Sequence, residues 1–239
     1  MNGEPAVAPG AVRVDAPVPL PVLRRRVLLA GVLLLALGVL LTALVASSAS
    51  RHGVQRLDDG WYRQMVGHRW AAIVTLCKVL STAFGSTIDW VLRGLITLAI
   101  AVRRRWLALA GWLTTVLLGE VAIGPIKALV DRARPPGSLI ATSGASYPSG
   151  HAIASAVTAI GVVMALTSGR RRLYWMIAAV CVAALVALSR TYLSAHWLSD
   201  VVGGSLLGAG VALAVPEAYE VARDRIRPPP SVPHAAASR

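Results

Sequence analysis

Residues 27 to 47, VLLAGVLLLALGVLLTALVAS, run without a single charge, and this stretch limits the possible folds more than any other feature. About 20 such residues in a helix cross the hydrocarbon of a bilayer. Only helices and closed barrels can do so with every backbone polar group bonded. Five further apolar stretches, at 86–102, 106–127, 151–168, 173–190 and 199–216, reach or nearly reach that length. The chain therefore reads as all-α, a polytopic membrane bundle of six helices. The first span, with Arg24, Arg25 and Arg26 before it, is also shaped like a secretory signal, but its apolar part exceeds the roughly 7 to 15 residues of such segments, so an uncleaved span is expected.

With 56% hydrophobic residues the chain is too apolar for an ordinary soluble domain. Its formal net charge of +13 would suit nucleic acid if the cations shared one polar face. Instead they cluster beside the apolar runs, at Arg24–Arg26, Arg103–Arg105, Arg170–Arg172 and Arg223 to Arg227. No nucleic-acid partner is expected; the partner is the bilayer. With six spans all four clusters fall on one side, which the positive-inside rule makes the cytoplasm, whereas seven would put the first cluster opposite the rest. Both termini are then cytoplasmic in a multi-pass plasma-membrane protein, and the loops 128–150 and 191–198 face outward. Residues 1–23 and 227–239 are Pro/Ala-rich and read as disordered tails of a membrane domain at 24–226. Residues 69–84, apolar but short and broken by Lys78, read as an interfacial or partly re-entrant helix. Cys77 and Cys181 lie far apart in apolar segments and are expected to be buried free thiols.

Three stretches at the outer ends of these spans mix charge with short spacing: KALVDRARP (127–135), YPSGH (147–151) and SRTYLSAHWLSD (189–200). Lys127, Arg132, Arg134 and Arg190 sit where basic residues are disfavoured, so something anionic must offset them. Guanidinium forks and a lysine point charge match phosphate oxygens. Snorkelling to lipid headgroups would account for any one of them alone. Only two of the 24 basic residues are lysines, Lys78 and Lys127, which makes a lysine here the less expected choice. Pro148 and Ser149 turn into a helix start whose free amides, beside Gly150, form an anion-binding concavity, with His151 directly after. His196 and Asp200 are four apart, so on a helix beginning near 196 they share a face. The carboxylate would then take one imidazole N–H and leave the other nitrogen as a neutral nucleophile. A capping contact or a shared metal ion would also fit that pair, though the surrounding cations repel a divalent metal.

Taken together as K-x6-R-P, P-S-G-H and S-R-x5-H-x3-D, the stretches resemble the three-part signature of the type 2 phosphatidic acid phosphatase family. That family shares its acid phosphatase/vanadium haloperoxidase-like core with glucose-6-phosphatase and with vanadium haloperoxidases. The resemblance covers residues 86–216 and leaves out 1–23 and 48–85. It implies that His196 attacks phosphorus and becomes a phosphohistidine while Asp200 holds its ring. It implies that His151 protonates the leaving oxygen and later activates water. Lys127, Arg134, Arg190, Ser149 and the Gly150 amide would cradle the phosphoryl oxygens, with no metal and no cofactor. The substrate would be a membrane lipid phosphate or an isoprenoid diphosphate such as undecaprenyl diphosphate.

A protein that binds or transports a lipid phosphate without cleaving it is the alternative from another class; haloperoxidase chemistry is a third, suggested only by the shared core. An acid and an oriented nucleophile are superfluous for binding alone. Glu120, an acid within a span, is expected either to function or to pair with an arginine. Asp131 and Arg132 read as a local ion pair, and His52, His68 and His234 have no assigned role. Nothing in the sequence selects one lipid or an oligomeric state.

Overall fold

The computed structural model describes residues 20–226, all of whose regular elements are helices. In chain order these are α1 (Leu20–Ala46), α2 (Ser48–Gly67), α3 (Ala71–Ala83), α4 (Ser86–Val102), α5 (Trp106–Val130), α6 (Gly150–Leu166), α7 (Arg170–Tyr192) and α8 (Leu198–Ile226). Helix α1 begins within the expected N-terminal tail, since residues 20–23 are helical; the rest of that tail and residues 227–239 lie outside the described residues.

Four helices, α1, α5, α7 and α8, are long and apolar enough to cross a membrane. Helices α3 and α4 qualify only as a pair bent by 48°. Helix α6 has 17 residues, short of the requirement. Length and composition thus support four or five spans and do not reach the expected six. The shortness of α6 goes with its place: Ile153, Ala156, Val157 and Ile160 are all buried, and α4, α5, α7 and α8 pack around it. Lipid-facing leucines such as Leu33, Leu40, Leu117 and Leu188 coat the outer helices instead.

The tight seams in this bundle run along α8. A Cβ on Gly208 would stand 2.7 Å from the Ile153 carbonyl oxygen of α6, and one on Gly210 would stand 2.8 Å from the Leu35 amide nitrogen of α1. Two residues apart on one helix, these positions face opposite ways, so α8 is clamped between α6 and α1 at backbone contact, as small residues permit in membranes. This fixes the N-terminus of α8 beside that of α6.

Region 48–85, outside the family resemblance, folds as α2 and α3. Helix α2 is polar and caps the bundle at the end where α5 and α7 finish and α6 and α8 start. Cys77 is buried as expected; Cys181 is exposed on the lipid-facing side of α7, correcting the expectation of two buried thiols. An apolar neighbourhood in the sequence marks the bilayer as readily as a protein core.

Candidate active site

Helix α5 ends at Asp131, which adopts a left-handed conformation with φ 36° and redirects the chain into the loop 131–149. Backbone bonds then stitch the three motifs together. Ser146 N donates to Arg132 O at 2.7 Å, Leu139 N to Leu193 O at 3.0 Å, and Ser149 N to Asp200 O at 3.0 Å. The last bond ties the start of α6 to the start of α8.

His196 is 4% exposed and stands in the turn before α8, which begins at Leu198. The expected helix start near 196 is thus two residues early, and the ring is held by a turn rather than by helical register. The Arg190 carbonyl accepts from the amides of Ala195 at 3.0 Å and His196 at 3.3 Å. Asp200, third residue of the helix, reaches back to the Trp197 amide at 2.9 Å, as in a capping box. It also accepts from Arg132 Nη1 at 2.9 Å and from the Ser146 hydroxyl.

His196 Nδ1 lies 3.5 Å from Asp200 Oδ2, close but outside hydrogen-bonding geometry. Nε2 lies 3.3 Å from Arg134 Nη1. A guanidinium only donates, so Nε2 must be the accepting nitrogen and the ring proton sits on Nδ1, toward the carboxylate. Burial holds the imidazole pKa down at about 4 despite Asp200, so the ring is neutral at ordinary pH.

Lys127 and Arg134 both donate to the Ala145 carbonyl. Arg134 also binds the carbonyls of Ser143 at 2.8 Å, Gly144 at 3.0 Å and Ala195 at 2.8 Å. Arg190 donates to the Ser81 hydroxyl of α3. Its Nε has no partner, and neither does the buried Ser149 Oγ. Buried donors rarely stay orphaned, and each is free to meet an anion. The space beside Gly150 is open, with Ile123 Cδ1 at 3.9 Å from where a Cβ would stand. His151, in the first turn of α6, borders a cavity of ≈ 470 Å³ together with Arg190, Ser81 and Lys78. All eight expected site residues therefore meet at one end of the bundle. Among the described residues no three His, Cys, Asp or Glu side chains are grouped to hold a metal ion.

Arg132 does not pair with Asp131. It is 5% exposed and bridges Asp200 to Asp58 of α2, at 2.9 and 2.6 Å, with Gln55 as a further acceptor. Asp58 also accepts from the Ser199 amide at 2.8 Å, placing a second carboxylate at the positive end of α8. Arg69 binds Ser194 at 2.6 Å and Tyr62 binds the Pro136 carbonyl at 3.1 Å. Region 48–85 thus supplies Asp58, Arg69, Lys78 and Ser81 to the site, all missed by the sequence reading. The scarcity of lysine was the one available signal, and it pointed to Lys78.

Residues 106–224 match the PAP2 superfamily. Phosphatidylglycerophosphatase B of Bacillus subtilis (strain 168) is 38% identical over 90 residues, covering 35% of this chain and 44% of that protein. Undecaprenyl-diphosphatase of Sulfolobus acidocaldarius is 43% identical over 68 residues, 28% of this chain and 30% of that protein. The matches thus span less than half the length of these curated relatives. The crystal structure of a transmembrane PAP2 type phosphatidylglycerolphosphate phosphatase from Bacillus subtilis superposes with a TM-score of 0.67 at 25% identity, covering 82% of this chain and 98% of that one. Aquifex aeolicus LpxE shares the fold, with a TM-score of 0.52 at 18% identity over 63% of this chain and 89% of that one.

Proposed function

Because the chain belongs to the PAP2 superfamily, we propose that it is an integral membrane phosphatase that hydrolyses a lipid phosphate or isoprenoid diphosphate through a phosphohistidine. The observation that carries this reading is the neutral, buried His196, with Nδ1 toward Asp200 and Nε2 toward the guanidinium of Arg134. Nε2 attacks phosphorus in line as the bond to the leaving oxygen breaks, and His151 gives that oxygen a proton. The imidazolium then faces Asp200, whose charge stabilises it. Water, losing its proton to His151, next displaces His196 and releases phosphate. Arg134, Arg190 and Lys127, with the Ser149 hydroxyl and the Gly150 amide, supply the charge that phosphoryl transfer needs at the equatorial oxygens, without a metal ion. Arg134 exchanges its bond to His196 for one to substrate.

The arginine clusters support an orientation. Arg24 of α1 pairs with Glu220 and Asp224 of α8, and Arg105 and Arg172 line a cavity with Arg223, so the clusters converge at the end away from His196. Taken with the positive-inside rule, that convergence supports the reading in which both termini are cytoplasmic and the site faces outward. The substrate's apolar tail stays in the bilayer while its phosphate enters beside His151.

The deciding experiment measures phosphate release from a panel of lipid phosphates by the detergent-purified protein in excess chelator, beside His196→Ala. Activity in chelator that vanishes in the variant is expected. Dependence on an added divalent metal, or activity that survives the loss of His196, overturns the mechanism. For orientation, Ser143→Cys in a Cys181→Ser background should react with an impermeant maleimide from outside intact cells, since Ser143 is exposed on the loop.

A further inference from the structure

At the end of the bundle opposite His196, helices α1, α5, α6, α7 and α8 enclose a second cavity, of ≈ 220 Å³, with a charged wall. Its cations are Arg24, Arg105, Arg172 and Arg223, and its acids are Glu217 and Glu220. Much of this charge is internally paired. Glu220 lies 2.8 Å from Arg24 and 2.7 Å from Arg223, and Glu217 Oε1 lies 3.3 Å from Arg172. Among the described residues Arg105, exposed at the start of α5, enters no ion pair, and Glu217, only 3% exposed, has no hydrogen-bond partner for Oε2, whereas Glu220 Oε2 has its two arginines at ion-pair distance. A buried carboxylate oxygen without a donor is costly, so the cavity presents a spare cation beside a spare acceptor. That combination suits a headgroup bearing both a phosphate and a hydroxyl.

A second observation concerns what adjoins the cavity. Between α1, α6, α7 and α8 lies an almost wholly apolar groove of ≈ 340 Å³, lined among others by Leu34, Ile160, Val180, Ala209 and Leu213. Ile160 of α6 and Leu213 of α8 stand one helical turn from Met164 and Glu217, which border the charged cavity. Four-residue spacing puts each pair on one helix face, so the groove runs along the α6–α8 seam toward the cavity. A charged pocket and an apolar channel one turn apart are complementary to the two halves of a phospholipid.

We propose that this end of the protein binds an anionic phospholipid that is not its substrate. The phosphate sits by Arg105, a headgroup hydroxyl donates to Glu217 Oε2, and one acyl chain occupies the groove. Among the described residues no histidine or cysteine borders either space, and His151 and His196 lie at the other end, so the lipid is held rather than hydrolysed. This does not depend on the activity proposed above.

Native mass spectrometry of the delipidated protein, titrated with phosphatidylglycerol or phosphatidylcholine, tests it. Choline offers no hydrogen-bond donor, so one phosphatidylglycerol should bind at about tenfold lower concentration than phosphatidylcholine, the ratio given by one charge-assisted bond. Arg105→Ala should raise the concentration needed by a similar factor. Ala209→Trp, which fills the groove, should do the same, with Val180→Trp at the exposed groove edge as the milder variant should the first not fold. Arg134→Ala, at the other end, should leave binding unchanged. Equal affinity for both lipids, no bound lipid, or a loss in Arg134→Ala but not in Arg105→Ala overturns the proposal. So does displacement by millimolar inorganic phosphate with no effect of either tryptophan, which would mark a free-anion site.

Discussion

Arg132 and Arg93 are built alike and placed differently. Each is buried, each lies between two carboxylates, and each is covered by an indole. Arg132 sits between Asp58 and Asp200 with its guanidinium 5.4 Å from the Trp197 ring; Arg93 sits between Asp89 and Glu120, 5.1 Å from Trp90. The Arg132 triad is closed, its three charged side chains no more than 5% exposed. In the Arg93 triad Glu120 keeps 32% exposure, on a small cavity that also touches His151. The first joins α2 to the start of α8, where Asp200 faces His196. The second fastens α4 to α5 and, through Thr158, to α6. The same three-residue device thus serves in one place to fix the charge beside the buried His196 ring and in the other to hold membrane helices together.

Removing each arginine gives the largest effect and the sharpest contrast. Arg132→Ala strands two fully buried carboxylates, which costs about 3–5 kcal/mol. Activity should disappear with it. Arg93→Ala should cost about 2 kcal/mol, because Thr158 still donates to Asp89 at 2.8 Å and Glu120 is partly solvated. The midpoint of thermal unfolding in detergent, which needs no activity, ranks the two variants. An Arg93→Ala protein less stable than Arg132→Ala would break the comparison.

The two triads also differ in how far they could be read from sequence. Lys127, Arg134, His151, Arg190, His196 and Asp200 announce themselves because charges at the mouths of apolar spans have few reasons to be there. Glu120 was expected to pair with an arginine if it had no function, and Arg93 is that partner. Asp58 could not be found this way. It lies in a polar helix rich in charge, where one more acid carries no signal, and its partner is 74 residues away in sequence. Asp131, adjacent to Arg132, drew the pairing that belongs to Asp58. Local proximity misled there because a left-handed cap at Asp131 turns the two side chains apart. Span counting was limited in a similar way, since α6 needs no membrane-spanning length when other helices surround it.

Asp58→Asn is the next step down. The amide still accepts from Ser199, so the fold should hold, but Arg132 then keeps Asp200 as its one carboxylate beside the neutral Gln55, and this weakens the support that Asp200 gives the His196 imidazolium. A change of about one pKa unit in that interaction is about tenfold in rate. We expect kcat to fall about tenfold with KM within about twofold, and Asp58→Glu to recover part of the loss. A rise in KM alone would make Asp58 a scaffold for binding.

Acid pH probes the same side. With His196 held neutral to about pH 4, the acid limb of kcat/KM should fall near pH 4 rather than at the 6.5 of an ordinary histidine. The sign for stability follows. Between pH 6.5 and about 4 the unfolded chain protonates this ring and the folded one does not, so stability declines as pH drops through that window. A limb centred at 6.5 would mean that the ring is solvated and the tautomer assignment is wrong.

Glu120→Gln should have the smallest effect of the series. The amide oxygen can still accept from Arg93 Nη1, now 2.6 Å from Oε1, and Asp89 alone still balances the guanidinium. A partly exposed ion pair of this kind is worth about 1 kcal/mol or less. Phosphate release should therefore stay within about threefold of the parent, with an inactivation half-time to match. The comparison is sharpened if activity falls tenfold while stability does not move. Glu120 and His151 border the same cavity. Such a result would place the acid in proton exchange with His151 and turn the second triad from a fastener into part of the reaction.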